Sequence, residues 1–217
     1  MAITVYGINA SPFVRKVRVV LAEKGIPYEL DPVIPMNVGP DYKKISPLGK
    51  IPALRDGERT LCDSSIICAY IERTHPEPRL YPADPYEYAR ALWFEEYGDG
   101  GMTPIVGPKI FFQKIVQPLF FNKPADQAMV DKAVNEELPP LFDYLESQLG
   151  GGQFIVGAQL TVGDIGLCTQ FVNLQHAGVR PDAKRWPKLA KYVGGILARP
   201  SFKTLIDEEA QSLPSPQ

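Results

Sequence analysis

Ile3-Thr4-Val5-Tyr6-Gly7-Ile8-Asn9-Ala10-Ser11-Pro12-Phe13-Val14 reads as a strand that runs almost directly into a helix. Its first six residues are rich in β-branched and aromatic side chains, as in a short strand buried on both faces of a parallel or mixed sheet. Val14, Val17 and Leu21 then recur at helical spacing, Phe13 and Val20 widen the stripe, and Gly25 supplies the stop. Ser11 is the expected N-cap and Pro12 the first helical residue. Tyr28 to Ile34 reads as a second strand, so the chain opens with a βαβ unit. Such units cross over right-handed, which places the end of the first strand beside the start of the helix. Ligands favour that corner.

Working outward, Ile51-Pro52-Ala53-Leu54-Arg55 and Arg59-Thr60-Leu61-Cys62 flank the turn signal Asp56-Gly57, which predicts an antiparallel hairpin. A helix follows from Ser64 to Thr74. Pro76, Pro78, Pro82 and Pro85 then fall within ten residues, a stretch that reads as a linker. Beyond it the pattern is helical throughout: Tyr88 to Gly98, Ile105 to Phe121 with a break or kink at Gly107-Pro108 and Pro118, Ala125 to Leu149, Thr161 to His176, Trp186 to Ala198, and Ser201 to Ala210. The expected organisation is an α/β domain over 1–79, a linker over 80–88 and an all-α domain over 89–217.

Composition narrows the function. The 217 residues are 45% hydrophobic and 22% charged, which is globular rather than disordered or fibrous. A net charge of -2 without a basic block argues against nucleic acid as a partner. No apolar run approaches the length of a membrane span, and the first residues lack a basic segment leading into an apolar one. Cys62, Cys68 and Cys168 are odd in number, share no CxxC spacing and sit among apolar neighbours, which suits a reducing compartment. A soluble, cytoplasmic chain is the expectation. His75 and His176 have no acidic or cysteine partner at ligand spacing, so no metal is expected.

Three segments together carry a resemblance. Ser11-Pro12-Phe13-Val14-Arg15-Lys16-Val17-Arg18, Gly49-Lys50-Ile51-Pro52-Ala53-Leu54 and Cys62-Asp63-Ser64-Ser65-Ile66-Ile67 resemble the signatures of the soluble glutathione transferases. The Ser-Pro-Phe form is most similar to the serine-type classes, such as the plant tau class and bacterial members like it. Leu160-Thr161-Val162-Gly163-Asp164-Ile165 resembles the capping motif of that family's helical domain. The resemblance implies a thioredoxin-like first domain (βαβ-α-ββα), an all-α second domain, glutathione as co-substrate and a homodimer.

It also implies roles for single residues. Ser11 can accept a backbone N–H and donate its proton to the glutathione thiolate, while the helix N-terminus adds positive potential at the same place. Tyr6 is the rival hydroxyl, since other classes use a tyrosine of the first strand. Ile51-Pro52 resembles a cis-proline turn whose preceding backbone pairs with the cysteinyl part of glutathione, and Phe13 adds an apolar lip. Lys50, and more loosely Asn37, would meet the glycyl end. Asp63 and Ser64 open a helix and would hold the γ-glutamyl end, although Asp stands where Glu is commoner. Thr161 and Asp164 form a capping box, which is structural.

The acceptor, a small apolar electrophile, would meet a wall carrying Tyr97, Met102, Ile105, Phe111 and Phe112. The leading reading is therefore a glutathione transferase or organic peroxide reductase. A binding or regulatory module that keeps the fold without turnover is the alternative. Disulfide exchange is disfavoured, because no cysteine stands at position 11.

Overall fold

The structure, a computed structural model, describes residues 3–35 and 38–213. The chain divides into two units, Met1–Tyr81 and Pro82–Gln217.

Among its described residues the first unit is a four-stranded sheet with three helices: β1 (Ile3–Tyr6), α1 (Pro12–Glu23), β2 (Tyr28–Asp31), α2 (Pro40–Ile45), β3 (Ala53–Asp56), β4 (Arg59–Cys62) and α3 (Ser64–Thr74). The strand order is β2-β1-β3-β4. β1 pairs with β2 in parallel and with β3 antiparallel, so Tyr6 stands opposite both Asp31 and Ala53. β2 stops at Asp31, short of the expected Ile34, because Pro32 has no N–H to donate to a ladder. β3 starts at Ala53 for the same reason at Pro52. Gly57 turns the hairpin at φ +59°. α1 ends as its sequence suggests: Gly25 at φ +65° accompanies Gly25 N–H to Ala22 and Ile26 N–H to Leu21 bonds, a Schellman stop.

The second unit is all helical. α4 runs without interruption over 85–121, α5 over 127–148, α6 is Val162–His176, α7 Pro187–Leu197 and α8 Pro200–Ala210. The two helices expected between Tyr88 and Phe121 are thus one. Pro104, Pro108 and Pro118 each lack an N–H, and wide turns at Tyr97–Met102 and Val106–Val116 absorb them without breaking the helix. α4 also begins at Pro85, three residues before Tyr88, because the Asp84 carboxylate accepts the N–H groups of Tyr86 and Glu87 at 3.0 and 2.9 Å. α4 and α6 approach backbone to backbone: a Cβ at Gly98 would lie 2.7 Å from the Gly166 carbonyl oxygen, and one at Gly163 would lie 2.7 Å from that of Ala91. Among the described residues no helix is long and apolar enough to cross a membrane.

Candidate active site

Three backbone features meet at the end of β1. Gly7, at φ +150°, leaves no room for a side chain: an added Cβ would collide with Val14 of α1 and reach the Ile51 Cβ at 3.4 Å. The close approach brings the first turn of α1 and the Ile51-Pro52 segment against one strand end. The Ile51-Pro52 peptide bond is cis, as the resemblance implied. Ile51 is half-buried, and its backbone N–H and C=O pair with no backbone group of a described residue.

Ser11 is the N-cap of α1, with extended backbone at φ -74° and ψ 124°. Its Oγ accepts the Val14 N–H at 3.4 Å, a long bond for a cap. The hydroxyl proton is therefore free to be donated elsewhere, and the residue is half-buried rather than sealed. Phe13, two residues on, is likewise partly exposed.

Tyr6 occupies a different setting. It is 8% exposed, its ring lies edge-on to Tyr42 at 6.1 Å, and the Arg55 guanidinium lies 5.7 Å from its centre. That packing accounts for the ring as a core residue of the sheet. Tyr42 in turn donates to the Lys50 carbonyl at 2.9 Å, and the Ser46 hydroxyl donates to the same oxygen at 2.8 Å. Burial pushes the Tyr42 phenol up to about 12, so it stays protonated and keeps that bond. The pair pins the loop before Ile51 and leaves the Lys50 ammonium exposed, with no ion pair to a described residue. Asn37 lies outside the described residues.

At α3 the sequence pair divides its labour. Asp63, not Ser64, is the N-cap: its carboxylate accepts the N–H of Ser65 at 2.9 Å and of Ile66 at 3.2 Å. It holds a backbone φ of +77°, uncommon for a residue with a side chain. Ser64 is 3% exposed, and neither its hydroxyl nor its N–H has a partner among the described residues. A cap that relieves Ser64 of capping leaves two donors at a helix N-terminus, where an anion is favoured.

Sequence reasoning missed the cations of α1. Arg15 and Lys16 are fully buried and Arg18 is 5% exposed. Lys16 Nζ donates to Ser65 Oγ at 2.9 Å, tying α1 to the first turn of α3. Arg18 donates to the Tyr28 hydroxyl at 2.7 Å and to the Asn9 Oδ1 at 3.0 Å, bracing the loop that leads to Ser11. The sequence carried no local signal of this burial, because Arg15, Lys16 and Arg18 beside an apolar stripe read as the solvated face of an amphipathic helix.

The five acceptor-wall candidates separate by burial. Met102 is wholly buried and Phe111 is 7% exposed, so both belong to the core of the second unit. Tyr97 packs 5.0 Å from the Tyr144 ring and 6.0 Å from that of Trp93, and donates to the Leu141 carbonyl at 3.3 Å. Burial, with Tyr144 beside it, pushes its phenol up to about 12. Ile105 and Phe112 keep part of their surface. Among the described residues no group of three or more His, Cys, Asp or Glu is placed to hold a metal. His176 has found an acid the sequence did not put near it, Glu209 at 2.8 Å.

Comparison with known proteins agrees with this arrangement. Residues 5–79 match the family model of the glutathione S-transferase N-terminal domain, and residues 111–209 match that of the C-terminal domain. Glutathione S-transferase 3 of Zea mays is 31% identical over 224 residues, covering 97% of this chain and 95% of the relative. The solved structure of glutathione S-transferase III in apo form is 30% identical, with a TM-score of 0.83 over 100% of both chains. A glutathione S-transferase from Rhodospirillum rubrum superposes with a TM-score of 0.89 over 99% of this chain and 96% of that one, and at 24% identity it shows the fold alone. With a thioredoxin-like sheet, a helical second unit and these relatives, the chain belongs to the glutathione S-transferase family.

Proposed function

We propose that this chain is a serine-type glutathione transferase, its Ser-Pro-Phe turn of the tau form, in which the Ser11 hydroxyl holds the glutathione thiolate for attack on a small apolar electrophile or an organic peroxide. The observation that carries the reading is the long Ser11 cap, 3.4 Å from Val14 N–H, on a half-buried residue at the end of β1. One lone pair serves the helix while the proton points to a ligand. A hydrogen bond to the anionic form contributes roughly 1.5–3 kcal/mol. At about 1.4 kcal/mol per pKa unit, that brings a thiol from about 8.5 toward roughly 7. The thiol proton leaves to solvent, the sulfur forms the new S–C bond, and the electrophile's leaving group departs with its electron pair; with a peroxide the thiolate instead attacks the O–O bond, the alkoxide leaves and is protonated to the alcohol, and a second glutathione converts the sulfenic sulfur to the disulfide with loss of water.

The other groups hold the tripeptide. Ile51 offers an unpaired N–H and C=O to the cysteinyl backbone, Lys50 offers an ammonium to the glycyl carboxylate, and Phe13 forms an apolar edge. Ser64 donates its hydroxyl and N–H to the γ-glutamyl carboxylate. Asp63, with its carboxylate committed to Ser65 and Ile66, reaches the amino group through a free lone pair or a bridging water. Glutathione thus belongs to 1–79, and Ile105 and Phe112 of the helical unit are the acceptor-facing candidates that keep exposed surface. A homodimer completes the reading, and light scattering tests it: a concentration-independent mass near 24.1 kDa rejects the dimer.

The deciding experiment compares Ser11→Ala with Tyr6→Phe. Ser11→Ala is expected to lower turnover about ten- to a hundredfold and shift the pH-rate profile upward by about one to two units. If Ser11→Ala keeps its rate and its ultraviolet thiolate absorbance while Tyr6→Phe loses both, the hydroxyl comes from the strand and the serine-type reading is wrong.

A further inference from the structure

A lysine side chain is almost never sealed inside a protein, because its ammonium loses water and its four-carbon stem loses rotamer freedom. Lys16, in the second turn of α1, is nonetheless fully buried. Its Nζ donates to the Ser65 hydroxyl at 2.9 Å, 49 residues away at the second position of α3.

The place of that bond in α3 gives it a consequence. Ile67, Cys68 and Ile71 are wholly buried and seat the body of the helix. Its first three residues have no such anchor, since Ser64 and Ser65 carry hydroxyls and Ile66 is exposed. Asp63 accepts the Ser65 and Ile66 N–H groups, and the Ile67 N–H bonds the Asp63 carbonyl at 3.0 Å. These bonds join the turn to itself. The Lys16 bond joins it to α1, and so fixes where the Ser64 hydroxyl and N–H stand. The ammonium also adds a full positive charge to a helix N-terminus, and a buried charge is screened far less than an exposed one.

We infer that Lys16 is a positioning residue for the γ-glutamyl end of glutathione: it holds the turn that presents Ser64 to the α-carboxylate and adds its charge to that end of the site. This rests on the role proposed above for Ser64. Ser11 acts on the sulfur, Lys16 on the recognition of the far end of the tripeptide.

Calorimetric titration of the full chain with glutathione and with 4-aminobutyryl-cysteinyl-glycine, which lacks only the γ-glutamyl α-carboxylate, tests it. The parent is expected to prefer glutathione by at least about tenfold. Lys16→Met keeps the length of the side chain and removes its charge and donor. It should weaken glutathione binding about tenfold, leave the carboxylate-free peptide within about twofold, and so erase most of the preference. Ser65→Ala should weaken glutathione about threefold, and the double variant should be no weaker than Lys16→Met, because both changes remove the same link. In turnover, the KM for glutathione should rise while kcat stays within about threefold. A merely structural role would weaken both peptides alike. Equal losses for the two, or an undiminished preference in Lys16→Met, overturn the inference and leave the glutathione reading standing. A parent that binds both peptides equally overturns the Ser64 assignment and the inference with it, and one that binds neither overturns the glutathione reading as well. Should Lys16→Met fail to fold, Ser65→Ala decides: a reduced preference supports the inference and a retained one rejects it.

Discussion

The N-termini of α1 and α6 are built from the same local chemistry and end in opposite states. At α6 the capping acid Asp164 is fully buried, and its oxygens accept four donors: the Ile155 and Thr161 N–H groups and the Tyr192 hydroxyl at 2.8 Å, and the Thr161 hydroxyl at 2.9 Å. Burial pushes its carboxyl above the usual range, and those donors pull it back. At α1 the cap is one half-buried hydroxyl with one long bond. A cap whose capacity is exhausted within the chain can only hold structure. A cap left with an unused donor at the positive end of a helix can hold a thiolate as well. α3 stands between them, with Asp63 spent on its own helix and Ser64 left in reserve.

Each cap can be tested by removal. The largest effect is expected at α6: Asp164→Ala leaves buried donors without a partner and should lower stability by about 4 kcal/mol or more, read by denaturant unfolding. A loss below about 1 kcal/mol would mean that water replaces the carboxylate, and the contrast with α1 would collapse. Ser11→Ala comes next and should act on rate, ten- to a hundredfold as argued above, with stability lowered by no more than about 1 kcal/mol because its cap bond is long. A fall in melting temperature as large as that of Asp164→Ala would make Ser11 structural too. Ser64→Ala should weaken glutathione binding by roughly 1–3 kcal/mol in calorimetry and leave unfolding nearly unchanged, since Asp63 is the cap. Unchanged affinity would place the γ-glutamyl carboxylate elsewhere. The smallest effect belongs to Tyr6→Phe, which keeps the ring that packs on Tyr42 and Arg55 and should alter kcat/KM by less than about threefold.

Most of the fold was legible because its signals are local. Ser11-Pro12 and Gly25 bracket α1, Asp56-Gly57 turns the hairpin, and Thr161 with Asp164 marks the start of α6, each within four residues of what it controls. α4 was misread as two helices because proline and glycine are local breakers, whereas wide turns and close packing on α6 are tertiary answers to them. The candidate site was legible in part: Ser11, Ile51 and Ser64 could be named as candidates, but Lys16 and Ser65, 49 positions apart, could not be joined. Met102 and Phe111 looked like pocket lining because an aromatic or apolar stripe reads the same whether it meets a ligand or the core.

By itself, then, the sequence determined where most helices and strands begin and end, the end of β2 and the start and continuity of α4 excepted, and which hydroxyls and carboxylates sit at those ends, because capping and turns depend on neighbours a few residues away. Tertiary structure alone decided which of those groups were left over. Tyr192, 28 residues from Asp164, saturates one cap, and Glu209, 33 residues from His176, satisfies an otherwise lone histidine. The physical reason is that a polar group's free capacity is the difference between its own donors and acceptors and those brought to it from distant parts of the chain, and only folding sets the second number.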